Sequence, residues 1–238
     1  MKIFLGIIFF IFAISFNLFG ASFWGEGFSF SGGYIKTTAL KTNAEGTFSV
    51  RKILDDDFIA DGGLSINDSS INVAGGVLLM PFQTNLFSFG IKNILNYSNY
   101  FKNSAFETDF ICMGLFSLKN SNISNPLVFS IGYGFDYKRT TIESKRSKNI
   151  KLENIGHAIT LDVRKRFLQK HEIYARLSSF DDYYFPEFFT PYYTVGYSLD
   201  ISKKITLGAV GSVRYTDQFT LNGVLEGFQA RIFASYKW

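Results

Sequence analysis

The sequence predicts an all-β protein, a closed antiparallel transmembrane β-barrel of about twelve strands, with eight or ten as the alternatives. Three observations carry that prediction. Apolar residues recur at every second position over stretches of about 9–11 residues, the length a tilted strand needs to cross hydrocarbon. The chain holds 28 Phe and 13 Tyr but only 18% charged residues, against ~25% in soluble domains, so it has more apolar surface than one core of this size would bury. After the first 21 residues, no run approaches the ~18 apolar residues that a membrane-crossing helix requires. Strands must therefore do the crossing.

Taken in order, residues 1–21 (MKIFLGIIFFIFAISFNLFGA) place Lys2 ahead of an apolar stretch from Ile3 to Phe16, followed by the small residues Gly20 and Ala21. That layout predicts a secretory signal peptide cut after Ala21, leaving 22–238 as a single barrel domain. A retained anchor helix is the alternative, but the stretch is short for a span. Candidate strands then fall near 25–36, 46–54, 58–67, 70–79, 85–97, 106–118, 126–140, 155–167, 171–180, 191–201, 204–216 and 226–238. The clearest puts Leu127, Phe129, Ile131, Tyr133, Phe135 and Tyr137 on one face, with Ser130, Gly132, Gly134 and Asp136 on the other. Ile159, Leu161 and Val163 alternate in the same way with Thr160, Asp162 and Arg164. The pattern is weaker before residue 100, where VAGGVLLM is apolar on both faces and RKILDDDF reads equally well as loop.

The connections give an independent test. Short gaps at 202–204, 168–170 and 81–85 alternate with long ones at 217–225, 181–190, 141–154 and 98–105, the asymmetry of barrels with short periplasmic turns and longer outer loops. An even strand count returns both ends to the periplasm. The exception is NDSS at 67–70, which is short where a long loop is expected.

The final strand reads FQARIFASYKW. Phe228, Ala230, Ile232, Ala234, Tyr236 and Trp238 form one apolar row, and Gln229, Arg231, Ser235 and Lys237 lie between them. A barrel needs such a closing strand, because only closure satisfies every backbone group in lipid. Tyr236 and Trp238 are expected at the inner interface, where amphipathic rings are favoured. This stretch resembles the C-terminal signature of bacterial outer-membrane β-barrel proteins, a closing strand ending in an aromatic residue. The resemblance extends over the leader, the strand rhythm and the last strand, and it is to a porin-like class rather than to one family. It implies a place in the cell outer membrane, among its lipids, and recognition by the barrel assembly machinery.

With the apolar row against lipid, the other row lines the interior. It carries Arg51, Lys92, Lys138, Arg164, Arg166, Arg176, Arg214 and Arg231, with Asp61, Glu107, Asp109, Asp136, Asp162 and Glu172 among them. The first expectation is a narrow channel for passive passage of small solutes, its field set by those arginines. The alternative is a plugged, non-conducting barrel, structural or binding an extracellular ligand through two loops. Loop 141–154 would offer Lys145, Arg146 and Lys148; loop 180–193 (FDDYYFPEFFTPYY) would offer Tyr183, Tyr184, Phe185, Phe188 and Phe189. The bland reading of these loops is a solvated basic run and an aromatic girdle.

An outer-membrane lipid hydrolase ranks third. His157 falls on the lipid-facing register near the outer end of its strand, but outer-membrane phospholipases and lipid A deacylases place a serine two residues later, where this chain has Ile159. No catalytic residue, cofactor or metal is therefore expected. The lone Cys112 lies in an apolar run and reads as a small hydrophobe. A net charge of +4, spread along the chain, gives no nucleic-acid footprint.

Overall fold

The computed structural model describes residues 26–37, 43–55, 58–101, 104–120, 125–143, 149–179, 192–215 and 225–238. These form twelve strands: β1 (Gly27–Thr37), β2 (Asn43–Asp55), β3 (Phe58–Asn67), β4 (Ser70–Gln83), β5 (Phe87–Tyr100), β6 (Ala105–Lys119), β7 (Leu127–Ile142), β8 (Ile150–Phe167), β9 (His171–Ser178), β10 (Tyr192–Asp200), β11 (Ile205–Tyr215) and β12 (Leu225–Lys237). Each pairs antiparallel with its chain neighbour, and β12 pairs back onto β1 from Lys237↔Gly27 to Gly227↔Thr37. The barrel is closed, so no edge is left to satisfy in lipid.

Walking across paired residues from Glu172 through Ser198, Gly208, Phe233, Ser31, Thr47, Ser65, Asn72, Ser98, Glu107 and Thr140 reaches Leu152 on β8. The residue that closes the circle onto Glu172 is Arg166. This offset of fourteen residues, 152 to 166, is the stagger of the barrel, and for twelve strands it tilts each by roughly 40°. Outward residues such as Ile155, Ile232, Tyr133 and Val195 are broadly exposed, forming the apolar band that lipid would cover.

The observed strand bounds differ from the sequence expectation at several places. β7 and β8 run past the predicted limits, with Thr141↔Lys151 and Ile142↔Ile150 paired, so loop 141–154 shrinks to 143–149. Above the hydrocarbon a strand needs no apolar row, only pairing, and the ion pair of Arg139 Nε with Glu153 Oε1 at 3.4 Å occupies the outward face there. Tyr192 and Tyr193 open β10, within the strand expected near 191–201, so the loop read as 180–193 ends before them. β4 continues to Gln83 through Pro81, which sits where the register shifts between Leu79 and Phe82; a bulge is where a residue without an N–H is tolerated inside a strand. RKILDDDF is strand up to Asp55, with a second shift between Ile53 and Asp55. The short NDSS connection is a tight turn in which Asn67 Oδ1 accepts from Ser69 N at 2.8 Å and Ser70 Oγ at 3.0 Å.

Candidate functional site: the charged interior

Because side chains alternate faces along a strand, the basic and acidic residues of the inward row are delivered to the interior together. On β8 and β9, Asp162 receives Arg164 Nε at 2.6 Å and Nη2 at 3.2 Å, and Arg176 Nε at 3.0 Å. Near the short-turn end, Asp200 of β10 pairs with Arg166 and, at 2.8 Å, with Lys237 Nζ. Between β2 and β3, Arg51 Nη2 meets Asp61 Oδ2 at 3.1 Å, and between β6 and β7 Lys138 Nζ lies 3.4 Å from Glu107 Oε1. Glu45 ties three strands, accepting from Ser65 Oγ at 2.6 Å and Gln229 Nε2 at 2.5 Å. Asn96 Nδ2 donates to Asp109 Oδ2 at 3.3 Å. Lys92 and Asp136 lie on the inward register of β5 and β7, and Glu172, Arg214 and Arg231 are inward and buried.

Pairing is uneven in its exposure. The side chains of Arg51 and Arg164 are 25% and 24% exposed, against 10% for Asp61 and 7% for Asp162. Arg176 and Arg166 likewise exceed their carboxylate partners, and Lys237 equals Asp200. In each of these pairs the carboxylate is covered at least as well as its cation.

Apolar residues also enter the inward row, and alternation alone misses them. Phe233 points inward from the closing strand and packs with Tyr174 and Val210; Ile94, Ile111, Met113 and Ala158 form a second cluster on β5, β6 and β8. Glycine makes room for the rings. A Cβ on Gly196 would lie 2.1 Å from the Tyr174 ring, and one on Gly208 would lie 2.2 Å from Phe233, so each ring lies over a glycine of the neighbouring strand. Arg164 sits 5.8 Å above the Tyr174 ring centroid, a cation–π contact that holds the guanidinium in place. The sequence signal was present in Phe233 and in DFICMGLF, both apolar on the row assigned to the interior.

The remaining predicted positions separate. Tyr236 points outward and stacks on Phe28 of β1 at 5.4 Å, with Trp238 6.1 Å from the same ring, so aromatic packing seals the β1–β12 seam. Lys145, Arg146, Lys148, Tyr183, Tyr184, Phe185, Phe188 and Phe189 lie outside the described residues. His157 is outward, its Nδ1 2.9 Å from Tyr133 Oη. Ser179 Oγ bonds the carbonyl of His157 and the N–H of Ile159, contacts to backbone rather than to the imidazole. Among the described residues, no group of three or more His, Cys, Asp or Glu could hold a metal ion.

No protein-family model matches the chain, and no curated protein matches it in sequence. Solved structures do share its shape. The NanC porin aligns with a TM-score of 0.64 at 15% identity, over 89% of this chain and all of its own. The KdgM porin aligns at 0.56 and 10%, over 88% and 99%. The translocator domain of the autotransporter NalP from Neisseria meningitidis aligns at 0.54 and 11%, over 92% and 91%. The fold is that of an outer-membrane β-barrel. At such identities the likeness speaks to architecture alone, and since porins and a translocator domain share it, function has to be argued from the interior.

Proposed function

We propose that the chain is an outer-membrane, porin-like conduit through which small anionic solutes pass passively. The observation that carries this reading is the exposure asymmetry. In each described interior ion pair the cation is at least as exposed as its carboxylate, and on Arg51, Arg164 and Arg176 it is two- to three-fold more so. A solute moving along the axis therefore meets guanidinium groups before it meets carboxylates, even though the formal charges nearly balance. Ringed rows of basic side chains of this kind bias a pore toward anions. One of the similar structures is the KdgM porin in complex with disordered oligogalacturonate, a carboxylate-bearing sugar chain, which fits the same chemistry. Within this reading, the leader at 1–21 directs export and the closing strand ending in Trp238 is the stretch read by the barrel assembly machinery.

Planar-bilayer recording of the refolded protein tests the proposal. Discrete steps of small conductance are expected, with a reversal potential in a salt gradient that reports anion preference. The double variant Arg164→Ser/Arg166→Ser leaves Asp162 and Asp200 facing fewer cations and should move the reversal potential toward cations. Silence from a folded barrel would favour the plugged, ligand-binding alternative; conduction with an unmoved reversal potential would remove the arginines from selectivity.

A further inference from the structure

The rim at the short-turn end is unevenly charged. Between β8 and β11 the two turns 168–170 and 201–204 expose Lys170, Lys203 and Lys204. The carboxylates of this sector, Glu172 and Asp200, lie on the inward row, Asp200 already paired with Arg166 and Lys237. The turns are held in one frame by backbone hydrogen bonds, Asp200 N to Lys170 O at 2.8 Å and Lys237 N to Lys204 O at 2.7 Å. Lys204 is further fixed over the Tyr236 ring, 5.7 Å from its centroid. Elsewhere on the rim, Lys52 is neutralised by Glu26 at 3.1 Å, and the hydrogen bond from Lys52 holds the Glu26 carboxyl below its ordinary value.

The same two turns expose apolar tips. Leu168 is 73% exposed and Ile201 54%. Leu168 and Gln169 also have φ of 50° and 58°, left-handed conformations in the three-residue turn 168–170 that ordinarily take Asn or Gly. A strained leucine offered to water has two costs; against lipid only the strain remains. Directly above the turns, Ile173 and Leu207 continue an exposed apolar wall.

We propose that this rim binds the headgroup phosphate of an anionic phospholipid, with Lys170, Lys203 and Lys204 around the phosphate and the acyl chains along Ile173 and Leu207. Charge complementarity selects an anionic lipid, and the contiguous apolar wall selects a lipid over a soluble anion. The site is independent of whether the lumen conducts.

The test is native mass spectrometry of the refolded full-length barrel, equilibrated with mixed phosphatidylglycerol and phosphatidylcholine of identical chains. Wild type should retain phosphatidylglycerol preferentially. Lys170→Gln/Lys203→Gln/Lys204→Gln should lose that preference by roughly fivefold per lysine at low salt, the effect of about 1 kcal/mol for each basic residue near an anionic surface. Lys52→Gln should leave it intact. Folding is followed by the electrophoretic shift between unboiled and boiled samples; if the triple variant fails that check, Lys203→Gln, a solvent-facing turn substitution, carries the test. Retained preference in the folded variant overturns the proposal, as does an equal loss with Lys52→Gln. Displacement of bound phosphatidylglycerol by millimolar inorganic phosphate also overturns it, since the site would then be one for free anions.

Discussion

Replacing Gly134 with alanine is expected to destabilise the barrel by about 3 kcal/mol, at the upper end of overpacking penalties. A Cβ at this position would lie 1.9 Å from the carbonyl oxygen of Cys112 and 2.5 Å from Met113 Cα. Those are backbone atoms of the paired strand, with Met113 directly opposite Gly134, so no rotamer change relieves the clash. β6 and β7 would have to part, and in a closed barrel a displaced pair strains the ladder on both sides. Gly196→Ala should cost less, because the atom in its way is the Tyr174 ring, which can turn at the expense of its packing. Gly46→Ala is the control: nothing lies within 4 Å of its added methyl, and the change should be neutral or stabilising by about 0.5 kcal/mol through the unfolded chain. Urea unfolding followed by tryptophan fluorescence in lipid vesicles measures all three. A Gly134→Ala midpoint equal to that of Gly46→Ala would show that the β6–β7 pairing yields locally and that the glycine is not required there.

That contrast marks what a linear reading reaches. The strand count and closure were legible because lipid outside and polar groups inside impose a period of two, and the charged members of the inward row followed from it. Leu127 to Tyr137 could be read from alternation alone. Which residues meet from strand to strand was not legible, since that depends on the register of each pair, and so the shared acid for Arg164 and Arg176, with Asp162 opposite Arg176 in the β8–β9 pairing, was not foreseen. Ring-on-glycine packing such as Phe233 over Gly208 escaped for the same reason: the two positions are neighbours only through the β11–β12 register. The extension of β8 to Ile150 was missed because Lys151 and Glu153 interrupt the apolar row where the strand has already left the hydrocarbon.

Asp162→Asn is expected to lower stability by about 2 kcal/mol and, in the same protein, to sharpen anion preference. The carboxylate holds Arg164 through both of its oxygens and Arg176 through one, and an amide can accept but not neutralise. Breaking a buried ion pair costs roughly 3–5 kcal/mol. Here the Arg164 and Arg176 side chains are 24% and 15% exposed, so interior water repays part of it and the lower figure applies. Selectivity moves the other way from the Arg164→Ser/Arg166→Ser variant, because the substitution removes a negative charge from the interior and leaves both guanidiniums without their counter-charge. Adding Arg164→Gln to Asp162→Asn should recover part of the stability, since the two residues act as one unit, and should return the reversal potential toward wild type. The three variants thus separate structure from permeation: stability is lost in Asp162→Asn and in Arg164→Ser/Arg166→Ser alike, while the reversal potentials diverge in opposite directions. If stability falls in both and the reversal potential of a conducting barrel shifts in neither, the network is a structural brace against the wall and ions take a path that does not touch it.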